Sequence, residues 1–385
     1  MHILIAPNAF KNSLSASDAA EAIKKGLLKS GLSCECTCFP VGDGGDGTAE
    51  LIIKHNNGVI ISAEVHDPLG RKINSSFGLI DNGKTAVIEM ADASGLRLLK
   101  HDEYDPMHAS SLGTGELIKH ALNKEVNKII LCIGGSATVD GATGIAQALE
   151  IRFLDRNGNE LKNLPSELIE LHSIDLSSIN KRILNCHLVV LCDVENPLLG
   201  SNGAAAVFAP QKGASANDVI KSEERLTKLS DVIFKETGKN ISSIKYGGAA
   251  GGVAAGLHAL LNAGLINGID KFLSLTHFED ALNKTDIVIT GEGSIDMQTL
   301  QGKGPFGVAK MAKQKNKPVI GIAGQIPKEI PIELKEYFDL LLSINEESFD
   351  MPTALKNTAI NLERTACSIG QDLIRNDLIP DFSKL

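Results

Sequence analysis

Apolar positions along the chain fall into two alternating rhythms. The chain opens on an apolar run of strand length, residues 2–7. A polar loop (8–15) follows, and 17–30 reads as an amphipathic helix with Ser or Asp at its start. Residues 34–41 predict a second strand, 42–47 a loop, and a helix runs on to about residue 54. The same rhythm returns with a strand at 128–133, a glycine-rich loop at 134–144 and a helix holding 145–149. It returns again with a strand at 286–290, a helix at 305–313 opened by proline, and a strand at 318–323. Strand–helix alternation of this kind predicts a parallel sheet with helical crossovers. Between these blocks the rhythm breaks. Residues 62–91 hold short β-branched runs split by turn residues and read as antiparallel, and 152–207 mixes an Asn-rich stretch with the apolar strand 187–192. The pattern therefore predicts an α/β protein: a doubly wound domain built from discontinuous segments, with a second α/β domain inserted. The discontinuous domain is expected at 1–60, 107–150 and 260–385, and the inserted one at 61–106 and 151–259.

Length and composition narrow the class. At 385 residues, two or three domains are expected. Apolar residues make up 43% and charged residues 22%, which excludes disorder, collagen and coiled coil as whole-chain descriptions. No stretch approaches the roughly 20 apolar residues of a membrane span, and the N-terminus lacks the basic n-region of a signal peptide. A cytoplasmic protein with no membrane partner is expected. The net charge of −9, without a Lys/Arg cluster, and an aromatic content of 4% argue against a nucleic-acid partner. The seven cysteines are expected to be reduced. Cys34, Cys36 and Cys38, at period two, read as small apolar residues on one strand face rather than as metal ligands.

Several loops could carry chemistry. Residues 78–85 (GLIDNGKT) match a phosphate-binding P-loop to the letter, but the strand-forming run after Lys84 and the Asn82-Gly83 pair predict a hairpin. Gly42, Gly44 and Gly47 match a dinucleotide fingerprint, yet Asp43 and Asp46 would repel a pyrophosphate; a cation, a hydroxylated substrate or a plain helix cap suits them better. Gly302, Gly304 and Gly307 surround Lys303 at a helix start, a good place for a phosphate. The preceding GEGSID brings Gly291, Glu292, Gly293 and Asp296 close in sequence. Ser136 lies in a loop (GGSAT) that could cradle an anion or form a tight turn. Asp193 follows an apolar strand where α/β ligands bind, as a base, metal ligand or loop cap. Gly251 belongs to a GGAAGG cluster apposed either to nucleotide or to packed backbone. Carboxylates, a loop lysine and many glycines together fit metal-nucleotide phosphoryl transfer.

Taken in order, these loops resemble the glycerate kinase family, of the bacterial glycerate 2-kinase type. The resemblance runs nearly end to end. It is carried most specifically by GGSATVDGA at 134–142, CDVENPLLGSNGAAAVFAPQKGA at 192–214, GAAGG at 248–252 and TGEGSIDMQTLQGKGPFGVAK at 290–310. It implies ATP-dependent phosphorylation of D-glycerate to 2-phospho-D-glycerate with Mg2+, in a cleft between a discontinuous flavodoxin-like domain and the inserted domain. Under that resemblance Arg71 and Ser136 would hold the glycerate carboxylate, and Lys11 and Lys303 would contact phosphate oxygens, with Gly291, Gly293, Gly302 and Gly251 at the nucleotide. Asp43 and Asp193 would organise Mg2+ or the attacking hydroxyl, with Glu292 and Asp296 as further metal candidates. Three departures stand out: Asn8-Ala9 where the family has Asp-Ser or similar, Asp46 where its acidic loop has Glu, and Ser294 where it commonly carries Arg. The last shifts phosphate contact to Lys303 or Lys11. Glycerate 3-kinase activity, a related hydroxy-acid kinase, or a non-catalytic sensor of nucleotide or sugar acid are the competing expectations. Oligomeric state is not encoded in these patterns.

Overall fold

The computed structural model describes residues 1–345 and 350–375, which form two compact units: 1–43 with 269 onward, and Gly44–Gly268. The division differs from the expected one. Residues 44–60 and 107–150 belong to the second unit because the strand Lys128–Cys132 pairs there with Thr85–Glu89 and His187–Cys192. Strand–helix rhythm is the same in both units, so rhythm alone could not assign this segment.

The first unit carries a five-stranded parallel sheet in the spatial order Leu340–Ser343, Val319–Gln325, Ile287–Ser294, His2–Ile5, Glu35–Cys38. Numbered along the chain within this unit, that order is 2-1-3-4-5 read from the other edge, the flavodoxin-like arrangement. Its central strands carry apolar runs because helices cover both faces; Ile3, Ile5, Ile287, Ile289, Ile320 and Ile322 are buried in one core with Ile23, Leu27, Leu362 and Ile369. The helix Ala16–Lys29 starts at Ser15, whose hydroxyl accepts from the Asp18 N–H at 3.1 Å. It crosses Thr358–Arg375 at Gly26, where a Cβ would stand 2.2 Å from the Glu363 carbonyl oxygen. Strands His2–Ile5 and Ile287–Ser294 flank the topological switch point, outside whose carboxyl ends ligands bind in this class of fold.

The second unit holds a six-stranded sheet in the order Gly264–Asn267, His187–Cys192, Lys128–Cys132, Thr85–Glu89, Lys72–Ile80, Val59–His66. The first four strands run parallel and the last two antiparallel, as the pattern over 62–91 predicts. Residues 81–84 link Ile80 to Thr85 as a hairpin, with Asp81, Asn82 and Gly83 all at positive φ. The apparent P-loop is thus a turn between antiparallel strands, and opens no helix.

Among the described residues no helix is long and apolar enough to cross a membrane. The cysteines are free thiols. Cys34, Cys36 and Cys38 pack against the first unit's core, and burial pushes Cys36 up to about 12 and Cys38 to about 11. Such thiols stay protonated and unreactive.

Candidate active site

In the first unit the chemistry gathers at the carboxyl ends of the sheet. The strand Ile287–Ser294 is longer than predicted and carries Gly291, Glu292 and Gly293 on its last turns of ladder, paired with Ile322, Ala323 and their neighbours. Glu292 is 7% exposed. Burial raises its carboxyl to about 8; Lys303, with Nζ 3.9 Å from Oε1, pulls it down, and Asp43 and Asp296 push it up again. Thr299 Oγ1 donates to it at 3.3 Å. Asp43, just beyond the Glu35–Cys38 strand, is buried and accepts from Asn8 Nδ2 at 2.9 Å and from the Gly304 N–H at 3.2 Å. The Gly304 amide opens the helix Gly304–Gln314, with Lys303 as N-cap and Pro305 in the first turn. Lys11 reaches the same end through its backbone: a Cβ on Gly293 would lie 3.7 Å from the Lys11 nitrogen.

In the second unit the loops after two neighbouring parallel strands lie side by side. Cys132 registers with Leu191, so Gly134-Gly135-Ser136 and Asp193 leave the sheet at the same edge. The first loop is held open by backbone bonds: Leu96 N–H to Gly135 and Ala137 N–H to Ser94, both at 2.9 Å. Below it Asp140, fully buried, accepts from Ser111, Ala142 and Gly144, and burial raises its carboxyl. Lys212 is 3% exposed and donates to Ser136 Oγ at 2.8 Å and to the Thr138 carbonyl at 2.7 Å.

A third cluster in the same unit surrounds Glu89, which accepts from the Gly47 N–H at 2.7 Å and the Ala49 N–H at 3.1 Å, at the start of the helix Thr48–His55. Asp92 and Arg97 pair beside it, with Arg97 Nη2 at 3.5 Å from Glu89. All three border a cavity of about 240 Å³.

The family model described as "Glycerate kinase family" matches residues 3–374. The chain belongs to the glycerate kinase family. A "Glycerate kinase" of Bacillus subtilis is 43% identical over 97% of this chain and 98% of its own length. A "Glycerate 2-kinase" of Escherichia coli is 41% identical over the same shares. The crystal structure of a proposed glycerate kinase 2 from Salmonella typhimurium superposes with a TM-score of 0.80 at 41% identity, covering 98% of this chain and 100% of that one. The protein is therefore an enzyme of kinase type.

Seen as a member of the glycerate kinase family, the chain gathers some of the expected residues and disperses others. Asp43, Glu292, Asp296, Lys303, Gly293 and Lys11 share the carboxyl edge of the first unit's sheet. Ser136 and Asp193 share that of the second. Arg71 is held by two carboxylates. Its Nε donates to Asp67 at 2.5 Å and its Nη1 to Glu103 at 2.7 Å, in the turn after the outermost strand, three strand positions from Lys128–Cys132. Gly251, at φ 67°, is consumed by packing, since a Cβ there would stand 2.1 Å from the Thr138 oxygen. Gly291 is likewise explained by its neighbour strand, with a Cβ 2.0 Å from the Ile322 oxygen. Ser294, in the family's arginine position, donates to Asp296 at 3.3 Å. Sequence reasoning missed Lys212 and Glu89; Lys212 lies in a block that carries the resemblance, but nothing local signals the burial of either.

Proposed function

We propose that the protein is an ATP-dependent D-glycerate kinase forming 2-phospho-D-glycerate, acting in the cytoplasm where both substrates are found. The observation that carries this reading is the grouping of Asp43, Glu292 and Lys303 around the first turn of the helix Gly304–Gln314, at the switch point of a parallel sheet. Phosphoryl transfer depends mainly on positioning and charge neutralisation, and this is where the chain concentrates opposite charges. The name of the Escherichia coli relative supports the 2-hydroxyl as acceptor.

Among the described residues no group of three or more His, Cys, Asp or Glu is set to hold a metal alone. That suits Mg2+, which keeps waters and is usually held by one or two carboxylates together with substrate phosphates. Asp43 and Glu292 supply hard oxygens of that kind, and Glu292, protonated in this environment, would ionise as a divalent charge neutralises it. The bound metal would supply charge neutralisation at the phosphates. Lys303 and Lys11 contact phosphate oxygens, and Asp193 accepts the proton of the attacking hydroxyl. A sensor would need none of these carboxylates.

ADP release with a panel of small hydroxy acids tests the reading. D-glycerate should be the preferred acceptor, and its product should enter an enolase-coupled assay without added mutase. Product that requires the mutase would identify the 3-phosphate instead. No turnover with D-glycerate, against turnover with another acid, would replace the substrate.

A further inference from the structure

We infer that Asn8 is a positioning residue for the reaction: its side-chain amide, a neutral donor, holds the Asp43 carboxylate at the start of the helix Gly304–Gln314. This rests on the phosphoryl-transfer reading above, in which Asp43 serves the metal. The first observation is how firmly Asn8 is itself held. It lies just beyond the strand His2–Ile5, and its N–H donates to the Gly291 carbonyl at 2.8 Å. That bond carries on a ladder that includes the Ala6 N–H to Ile289 at 2.7 Å. Thr290 Oγ1 closes the same stretch by donating to the Ala6 carbonyl at 2.7 Å. The side chain has one workable orientation. Its Oδ1 accepts from the Ala9 N–H at 2.8 Å, which leaves Nδ2 to donate to Asp43 Oδ2 at 2.9 Å. Turned over, the amide would set oxygen against carboxylate oxygen and donor against donor.

The second observation is what else meets that oxygen. Asp43 Oδ2 also accepts from the Gly304 N–H at 3.2 Å, so one oxygen is gripped by the side chain of one segment and the helix start of another. Packing supports the grip. A Cβ on Gly304 would stand 2.9 Å from Asn8 Nδ2 and 3.0 Å from its Cβ and Cγ, so the glycine makes room for the asparagine. The third observation is charge. Asp43 lies close enough to Glu292 to push that carboxyl up, and Asp296 adds to the push. A neutral donor at position 8 offsets this repulsion. An acid of the same shape would increase it, since carboxylates about 3 Å apart cannot both ionise unaided. Groups that act on a reacting phosphate must be held to within about 0.5 Å by supporting hydrogen bonds. Asn8 supplies one such bond directly from the parallel ladder.

A charge swap gives the sharpest test, read first as thermal midpoints in metal-free buffer. Asn8→Asp should lose several degrees, and more than Asn8→Ala, because it exchanges a donor for a like charge. The double variant Asn8→Asp/Asp43→Asn exchanges donor and acceptor across the same gap, so its midpoint should recover most of that loss. Such a cycle isolates the pair from whatever else either side chain touches. Turnover should not recover: the swap leaves the carboxylate on the wrong side of the bond, and the rate should stay about a hundredfold down. Asn8→Ala should lower kcat about tenfold and raise the Mg2+ concentration for half-maximal rate about tenfold, with KM for D-glycerate within twofold. Recovery of turnover together with stability would show that only the bond matters, not where the charge stands, and would overturn the assignment. So would midpoint losses that simply add in the double variant, or wild-type Mg2+ dependence in Asn8→Ala. Should Asn8→Asp fail to fold, Asn8→Ala and the double variant still decide. If wild type turns over no D-glycerate, the kinase reading falls, while the melting cycle still decides whether Asn8 holds Asp43.

Discussion

The carboxylate of Asp43 meets the backbone N–H of Gly304 at 3.2 Å, across 261 positions of sequence. It thereby occupies the first exposed amide of the helix Gly304–Gln314, the donor that a loop-bound phosphate would otherwise be expected to take. Negative charge is favourable at a helix start, so the Gly304 amide helps to fix Asp43 in place.

Asp43→Asn tests the proposed role at the metal. Asparagine can still accept from Gly304, so the fold should hold, with a thermal midpoint within a few degrees of wild type. Turnover should fall on the order of a hundredfold, about 2.7 kcal/mol, and the Mg2+ concentration for half-maximal rate should rise. A variant with normal Mg2+ dependence would reduce Asp43 to a helix cap.

Asp193 stands one residue beyond the core strand His187–Cys192 and is half-buried. Asp193→Asn should lower turnover by about 10²–10⁴ if it accepts the hydroxyl proton, with the lower end expected for a loose transition state. Raising Mg2+ should not restore the rate; restoration would reassign Asp193 to the metal. Near-normal turnover in a folded variant would exclude both roles.

Lys84 sits at the end of a hairpin turn, exposed, between strands that pair Ile80 with Thr85. Lys84→Ala is therefore expected to leave KM for ATP within twofold. A tenfold rise, about 1.4 kcal/mol, would show that the turn touches nucleotide after all.

Glu89 gives a pH signature. Burial pushes its carboxyl up to about 7, opposed by the Gly47 and Ala49 amides and by Arg97. The unfolded value is near 4.3, so between about pH 4 and 7 the native state keeps a proton that the unfolded chain has released. Stability then falls as pH rises through that window, by roughly 4 kcal/mol when the carboxyl is fully ionised. Glu89→Gln should remove this slope: from pH 5 to pH 8 the wild-type thermal midpoint should drop several degrees relative to the variant. Parallel pH profiles would show that Glu89 titrates normally.

These residues also mark where sequence suffices. The strands at 2–7, 128–133 and 187–192 are legible because parallel strands buried on both faces are apolar without interruption. The hairpin at 81–84 is legible because its turn chemistry is local. The ladder through Gly291-Glu292-Gly293 is not, since glycine and glutamate have low strand preference. These residues are extended only because Val319–Gln325 pairs with them. Lys212 and Glu89 look like surface charges until distant segments close over them. The pairing of Arg71 with Asp67 is of the legible kind, since the two stand four positions apart in one turn.

The interruption of the first unit by residues 44–268 sets an order of assembly. His2–Ile5 leaves the ribosome early with Glu35–Cys38, but its other neighbour, Ile287–Ser294, is translated about 280 residues later. At roughly 5–20 residues per second that delay is about 15–55 s. Throughout it the nascent N-terminal strand pair has an open apolar edge, while the segment behind it already holds every strand of its own sheet and can complete it. Release of the chain from synthesis after Gly268 but before Ile287–Ser294 would therefore leave a finished second unit tethered to an aggregation-prone edge. Slow synthesis through 44–268 is tolerable for one unit and hazardous for the other, which makes the N-terminal 43 residues the segment most dependent on chaperone cover.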